Sequence, residues 1–590
     1  MQRIFSICLL FFLLQFVSAT NYYVSTYGDN LNTGTSTASS WKEIQFALDN
    51  AAPGDTIFIL EGIYYEKTEW SVPGESGNYI TLMNYADDSV IIDGTDVGNG
   101  QALMYLENMN YIRIEGLRFT NHNGNYQPVI NCYGANSHIE IRNCEFYNTM
   151  CNDSYTILME GSGDDFIIDN NYLHDIEGDN AVGILFVGSD ILIPFSNIII
   201  RNNTLENIDP APSEGIAVNG NVDGFEISNN YLSNINNIGI VMIGGEDWVN
   251  TNDAVNFARN GICKWNTVKH ANSIYGGGYA AGVYVDGGKN IIVENNTVTG
   301  SDVGLEIGCE NAGFITENIT VRNNVLYKNE KAGLGFGGYD YPSTGNVINC
   351  SFTGNTVFDN DSLLTGFGQL WIQHAENCVV KNNIFYAKKS ATVLNAYDWN
   401  ISELGNLLDY NLYYSVSDAE FYFDGDLISG IDNYKTISGQ DEHSLFADPE
   451  FVNEDEFDFH INMFSLAVNA GDTTYSPAID EVDMDWEERI SGYYIDIGAD
   501  EYPIEPTEIF SIDTKVINFY PNPVIDILSI EKPDDSPATI TVKTMAGASM
   551  FQRDINEKTT QLDLSALPPS VYLLTVLKSD SKEFIRVIKL

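Results

Sequence analysis

The sequence predicts an all-β chain, a right-handed parallel β-helix of about eleven rungs followed by a small C-terminal β-sandwich. Three observations carry this prediction. First, one slot returns every 27 to 36 residues, filled by Leu117, Cys144, Asn171, Asn203, Asn230, Asn266, Asn296, Asn324, Asn355, Asn383 and Asn411. Second, the text around the slot repeats: IIDNNYL from Ile167, IIIRNNTL from Ile198, FEISNNYL from Phe225, IIVENNTV from Ile291, ITVRNNVL from Ile319 and CVVKNNIF from Cys378. A fixed period of this size marks a solenoid, each repeat stacking on the next. Third, a second strand of the form Gly-apolar-x-apolar-x-Gly recurs, as GIAVNG from Gly215, GIVMIG from Gly239 and GVYVDG from Gly282. Short β-branched segments bounded by Gly and Asn read as strands. Asn suits the corner between them, because it tolerates the left-handed region and its amide can bond to the Asn one rung away. Handedness follows from the preference of parallel crossovers.

The elements follow in order. Residues 1–19 carry Arg3, an apolar run and Val17-Ser18-Ala19, the pattern of a secretory signal peptide cleaved near Ala19 rather than of a membrane span. Residues 20–55 supply an N-terminal strand and a helix. In WKEIQFALDN, Trp41, Ile44 and Leu48 fall at helical spacing before Pro53-Gly54-Asp55 breaks the pattern. This helix is expected to plug the open end of the coil, since solenoids need capped ends. Rungs occupy 56–415, and an irregular C-terminal extension 416–502. A linker spans 503–512, opening with Pro503–Pro506, and the sandwich occupies 513–590, where strands such as ATITVKT and VYLLTVLK alternate.

Composition narrows the partners. With 82 acidic and 28 basic residues the formal charge is −54. Nucleic acid is thereby excluded, because phosphate binding needs a basic surface. An anionic glycan is repelled unless a cation such as Ca²⁺ intervenes. No stretch beyond the signal is apolar enough to span a bilayer. Of eight cysteines, Cys8 lies in the signal, leaving Cys132, Cys144, Cys151, Cys263, Cys309, Cys350 and Cys378. Cys350 and Cys378 sit five residues before their repeat Asn, where other rungs place Ile198, Ile291 and Ile319. They are expected to stack inside the coil as small apolar groups or as one disulfide. No metal-ligand spacing joins the cysteines.

The tail text FYPNPVIDILSIE from Phe519, LSALPPSVYLLTV from Leu564 and the closing FIRVIKL resembles the C-terminal sorting domain of the Bacteroidetes type IX secretion system. Ser570 departs from the usual Gly before Val-Tyr. The resemblance implies an export address across the outer membrane, read by the type IX machinery and then removed, leaving the protein secreted or attached to the cell surface. The rod resembles right-handed β-helix repeat proteins of carbohydrate-active families, and 445–502 resembles the anchor-type region that often follows such helices. Many glycan specificities share this scaffold, so the substrate must come from the site.

Strand alternation assigns the faces. Ile216 and Val218, Ile240 and Met242, Val283 and Val285, Leu305 and Ile307, Leu334 and Phe336, and Leu370 and Ile372 form an apolar interior. Glu160, Asn219, Tyr284, Asp286, Glu306, Trp371 and Gln373 then point outward, with Gly335 and Gly337 opening a gap between them. Aromatic faces stack on sugars while carboxylates and amides bond to hydroxyls, so Tyr284, Trp371, Gln373, Asn219 and Glu160 read as substrate-binding residues; an ordinary solvated face is the plain alternative. Asp286 and Glu306 read as the catalytic pair. One rung across at about 4.8 Å and two residues along the strand puts their Cα atoms about 8 Å apart, and side chains that converge from there reach carboxyl separations of either a retaining or an inverting glycosidase, leaving the stereochemistry open. β-Helical glycosidases that hold an Asp and a Glu on adjacent rungs are loosely similar. Glu214, Glu246 and Glu310 lie near the same edge as partners or alternatives.

The expected function is a secreted glycan-cleaving enzyme, a glycoside hydrolase that requires no cofactor and has no metal among its site residues. The alternatives are a Ca²⁺-dependent polysaccharide lyase and a non-catalytic glycan-binding surface protein. A lyase needs a base, for which Lys331 is better placed than Lys289 or Lys264, and Ca²⁺ on Glu160, Asp286 or Glu306. A second acidic cluster, Asp480, Asp483 and Asp485 with Asp496 and Glu501, offers hard oxygen ligands or simply a solvated loop. His122, His174, His270 and His374 make no constellation, although His374 follows Gln373 beside the cleft.

Overall fold

A computed structural model describes residues 19–590, apart from 151, 154, 276, 504–516, 545–548 and 579–581. The signal peptide, Cys151 and all of the expected linker but Pro503 lie outside the described residues. The chain divides into two compact units, 1–503 and 504–590.

The first unit is a parallel β-solenoid whose coils each give a strand to three walls. One coil runs Ile216–Gly220, Val222–Ser228 and Tyr231–Asn236, and the next repeats it with Ile240–Ile243, Ala258–Lys264 and Thr267–Asn272. Register holds from coil to coil, so Ile216, Ile240, Val283, Leu305, Leu334 and Leu370 form one continuous row. All six are fully buried, as alternation requires. The third wall has fourteen strands rather than about eleven. The extra strands, Gly62–Tyr64, Val90–Asp93 and Leu445–Phe446, lie before Leu117 and after Asn411, where the repeat slot gives no signal.

The Asn-Asn doublet divides two jobs that the sequence suggested for one residue. The first Asn takes the left-handed turn, with φ near 56° at Asn170 and Asn202 and 55° at Asn229. The second is buried in a ladder. Asn203 donates its backbone N–H to Asn230 Oδ1 at 2.9 Å, and its side-chain amide donates to the same oxygen at 3.0 Å and to Ile168 O at 2.9 Å. This motif repeats from Asn171 to Asn411. At the last rung Asn411 bonds to Ser444 and Asp441 instead, so the ladder ends satisfied.

Both open ends are plugged. The N-terminal helix is Ile44–Asn50, shorter than expected, and Trp41 lies before it, bridged to Val24. Glu66, from the following coil, accepts the N–H groups of Ile44 and Gln45 at 2.8 and 3.2 Å, satisfying the free donors of the first turn. At the far end a second helix, Ile431–Ser438, was not expected. Its Tyr434 is fully buried and stacks on Phe421 at 4.5 Å. Buried Cys350 and Cys378 sit free in the interior row, with no disulfide.

The segment expected as an irregular extension turns back along the outside of the rod. Phe459, Ile461, Ala467, Ile497 and Ala499 pack on Val325, Phe358, Ile384 and Leu412, outward residues of the third wall. Asp472 N–H bonds to Asn382, Asn295 donates to Asp483 O at 2.7 Å, and Trp486 stacks on Trp265 at 3.8 Å. Arg322 bridges Glu294 and Glu481 at 2.6 and 2.8 Å. The segment is a strap over six successive coils, from that of Trp265 to that of Leu412.

The second unit has two antiparallel sheets. One pairs Asn518–Tyr520, Ile527–Glu531 and Thr559–Asp563; the other pairs Ser549–Ile555, Ala538–Thr544, Ser570–Leu577 and Lys582–Lys589. Leu528, Ile530, Ile540, Val542, Leu562, Leu574 and Val576 fill its core.

Candidate functional site

The outward residues of the first wall form a row crossing the coils: Ala217, Val241, Tyr284, Glu306, Gly335, Trp371, Asn395 and Tyr422. Asp286 pairs with Gly308, two residues along from the Tyr284–Glu306 pair, as alternation placed it. One expectation fails here. Tyr284 and Asp286 point away from the coil yet are each only 5% exposed, so this is not a solvated face. Outward residues of the wall's own strands, Leu158, Leu185, Val187, Val241 and Ile243, join Val249 of the 244–257 insertion in a second apolar cluster outside the solenoid.

Within that cluster the polar groups are organised around Glu310. Its backbone N–H donates to Asp286 Oδ1 at 2.7 Å, and its carboxylate accepts the Tyr284 hydroxyl at 3.2 Å. Gly308 makes room for this: a Cβ there would lie 2.7 Å from the Tyr284 oxygen. Burial pushes the Glu306 carboxyl up to about 8, helped by the nearby charge of Glu310. Burial and the same charge drive Asp286 well above the usual carboxylate range, against the opposing pull of the Glu310 N–H bond. Glu310 is raised too, by burial first. Beyond Glu306, Gly335 leaves a notch: a Cβ there would stand 4.0 Å from Glu306 Cγ and 3.5 Å from Trp371 Cε3.

Hollows lie on both sides. One, of about 370 Å³, holds Trp371, Gln373, Asn395, Trp399, Tyr397 and Tyr422. The other, of about 380 Å³, holds Asn219, Glu214, Glu246, Tyr155, Asn180 and Trp248. The expected binding residues Trp371, Gln373 and Asn219 therefore line the cleft. Glu160 does not join them: in register it stands four coils from Asp286, separated by Val187, Asn219 and Ile243. Trp399, Tyr397, Tyr155 and Trp248 were missed because their positions depend on loops and insertions that follow no repeat, and Tyr422 because its strand, Glu420–Phe423, lies beyond the last repeat slot at Asn411. A larger hollow of about 650 Å³ lies on the second wall, but its acids are already paired, Glu140 with Arg113 at 2.6 Å and Asp165 with His138 at 2.9 Å.

Several expected bases and ligands are engaged elsewhere. Lys331 lies over the Tyr279 ring at 3.4 Å and donates to Gly277 O at 2.7 Å. Lys289 sits over Phe257 and Lys264 faces Glu226, both on the second wall. His374 is buried, stacked on Tyr341 at 3.8 Å, a packing role. In the strap, Asp483 accepts N–H groups from Asp485, Glu487 and Glu501, and Asp496 from Asn469 and Tyr502, so these carboxylates hold the chain's own turns. Among the described residues, one group brings three ligand atoms within 4.8 Å: His460, Asp485 and Asp500. Burial opposes charge on His460, but its bond to Asp458 and the charges of Asp485 and Asp500 hold it up to about 9. A metal ion binding there would have to displace the imidazole proton that these carboxylates hold in place.

Comparison with known proteins agrees on fold and export. A model of the right handed beta helix region matches residues 214–385 and 260–417, and one of the secretion system C-terminal sorting domain matches 518–589. Among solved structures, pectate lyase Pel9A is 15% identical over 82% of this chain and 97% of its own, with a TM-score of 0.36. The PL6 family alginate lyase AlyGC is 16% identical over 72% and 59%, TM-score 0.42. A GH136 lacto-N-biosidase from Eubacterium ramulus is 14% identical over 72% and 67%, TM-score 0.39. At these scores the likeness decides nothing about chemistry. The uncharacterized protein YwoF of Bacillus subtilis (strain 168) is 30% identical over 460 residues, 75% of this chain and 91% of its own. The tail is a type IX sorting domain that directs the chain to the cell surface or beyond, and the chain, matched along most of its own length and of YwoF's, belongs to the same family as YwoF.

Proposed function

We propose that the protein is a glycan-cleaving enzyme, a glycoside hydrolase working in the first-wall cleft without a resident cofactor. The observation that carries this reading is the row Glu306, Gly335, Trp371, in which an open notch stands between a carboxyl and an aromatic face. In this reading a sugar ring sits in the notch against Trp371. Glu306, raised to about 8, holds a proton at neutral pH and delivers it to the leaving glycosidic oxygen. Asp286 is itself raised, so it acts from the neighbouring coil as nucleophile or base only once its proton has left, a step that the Glu310 N–H bond to its carboxylate assists. Elimination of a uronic acid is the weaker reading. The three lysines it would call on are engaged with carbonyl, ring or carboxylate partners, and the cleft is acidic.

The test is a screen of plant and algal polysaccharides with reducing ends and unsaturated products read separately. Hydrolysis predicts reducing ends without unsaturation. Unsaturated products that vanish with a chelator would establish the lyase, and binding without cleavage would establish a glycan-binding protein.

A further inference from the structure

We propose that the hollow around Asn219 binds the protonated amino group of a sugar, so that the glycan entering the cleft carries free amines, as a glucosamine polymer does. The lining joins acceptors to apolar and aromatic groups and carries no cation. Glu214 and Glu246 face it, and none of its lining residues is basic. Asn219 is 2% exposed, and its Oδ1 has no hydrogen-bond partner. A buried acceptor left open is costly, so an unpaired one in the wall of a hollow points to a ligand that donates. The aromatic groups agree. Trp248 is 66% exposed, with its indole N–H fixed on Glu246 at 2.7 Å, and Tyr155 lies across the same hollow. A ring face beside carboxylates suits an ammonium group through cation–π attraction and charge-assisted hydrogen bonds.

A metal ion fits less well. Among the described residues, no three His, Cys, Asp or Glu side chains in this hollow bring ligand atoms within the 4.8 Å that His460, Asp485 and Asp500 achieve. Glu214 is pushed up to about 8 by burial and then by the charges of Glu246 and Glu310. An arriving ammonium group relieves that repulsion, and Glu214 gives up its proton. The chain's charge of −54 also draws a polycation toward the rod. The sugar half of the proposal rests on the glycan reading above, whereas the ammonium half rests on the lining alone.

The test is calorimetric titration of the full chain carrying Glu306→Gln, which separates binding from cleavage. Its ligands are a glucosamine tetramer, the N-acetylated tetramer, a glucose tetramer, spermidine and CaCl₂. The glucosamine tetramer should bind about tenfold or more tighter than its N-acetylated form. Proton release should appear as a dependence of the heat on buffer ionisation. Adding Asn219→Leu or Glu246→Gln should each erase most of that preference. Glu246→Gln is the safer variant because the residue lies on a half-buried loop rather than in the wall. Equal binding of the N-acetylated or glucose tetramer, or no binding of any ligand, would overturn the proposal. Spermidine binding as tightly as the glucosamine tetramer would overturn its sugar half and with it the glycan reading. Displacement of the tetramer by Ca²⁺ at stoichiometric levels would make the hollow a cation site.

Discussion

Gly335 is the point where one added carbon changes the cleft most. A Cβ there meets Trp371 and Glu306 at ordinary contact distances of 3.5 and 4.0 Å, so Gly335→Ala should fold normally. It would still fill the notch. A misplaced methyl-sized group in a fitted pocket costs about 1–3 kcal/mol, so kcat/KM should fall about tenfold while the melting temperature stays within a degree or two of the parent. Steady-state kinetics with thermal unfolding checks both. At this scale much of the site was legible: alternation alone set Tyr284, Asp286, Glu306 and Trp371 on one outward face. Their burial was not legible. The cover over Tyr284 and Asp286 comes from insertions such as 244–257 and 309–314, which follow no period and whose approach depends on tertiary packing. Glu310, the group that binds Asp286 and Tyr284 together, sits in such a turn.

At the scale of elements, the asparagine ladder is the device that makes the repeat regular. Each rung's Oδ1 takes two donors from the rung before, as Asn296 does from Asn266 at 3.0 and 2.9 Å. Asn296→Ala would strand both donors in a fully buried corner, and a loss of about 1–3 kcal/mol is expected by denaturant unfolding. An unchanged midpoint would mean that water replaces the ladder. The period was visible because the ladder demands one residue type at one place. The strap was not, since its hold on the rod is made of single contacts, Arg322 to Glu481 or Trp486 to Trp265, that leave no pattern along the chain.

For the whole molecule, buried acids set an unusual pH dependence. Glu214, Glu306 and Glu501 are raised to about 8 and Asp500 to about 7, in each case by burial first. A carboxyl whose folded pKa exceeds its unfolded value of about 4 is stabilised in its protonated form, so its contribution declines as pH climbs from about 4 to about 8. His460, raised to about 9, acts in the same sense: its contribution is full below about 6.5 and is lost as pH rises through 9. Acids held low, such as Asp472 beside Lys381 and Asp169 beside Arg201, act oppositely, and their contribution disappears only in strong acid. Thermal unfolding across pH should therefore show a maximum near about pH 5 and a steady fall toward pH 9. A plateau from 5 to 9 would show that these carboxyls are hydrated in solution.

The rate of reducing-end release by Glu306→Gln and Asp286→Asn, measured against the parent on the most active polysaccharide, tests the assignment most directly. Each variant should fold as the parent does and lose about 100-fold or more of its rate, and the parent's rate should drop as pH rises through about 8, where Glu306 loses its proton. Full activity in both variants would contradict the assignment and move the chemistry elsewhere on the rod.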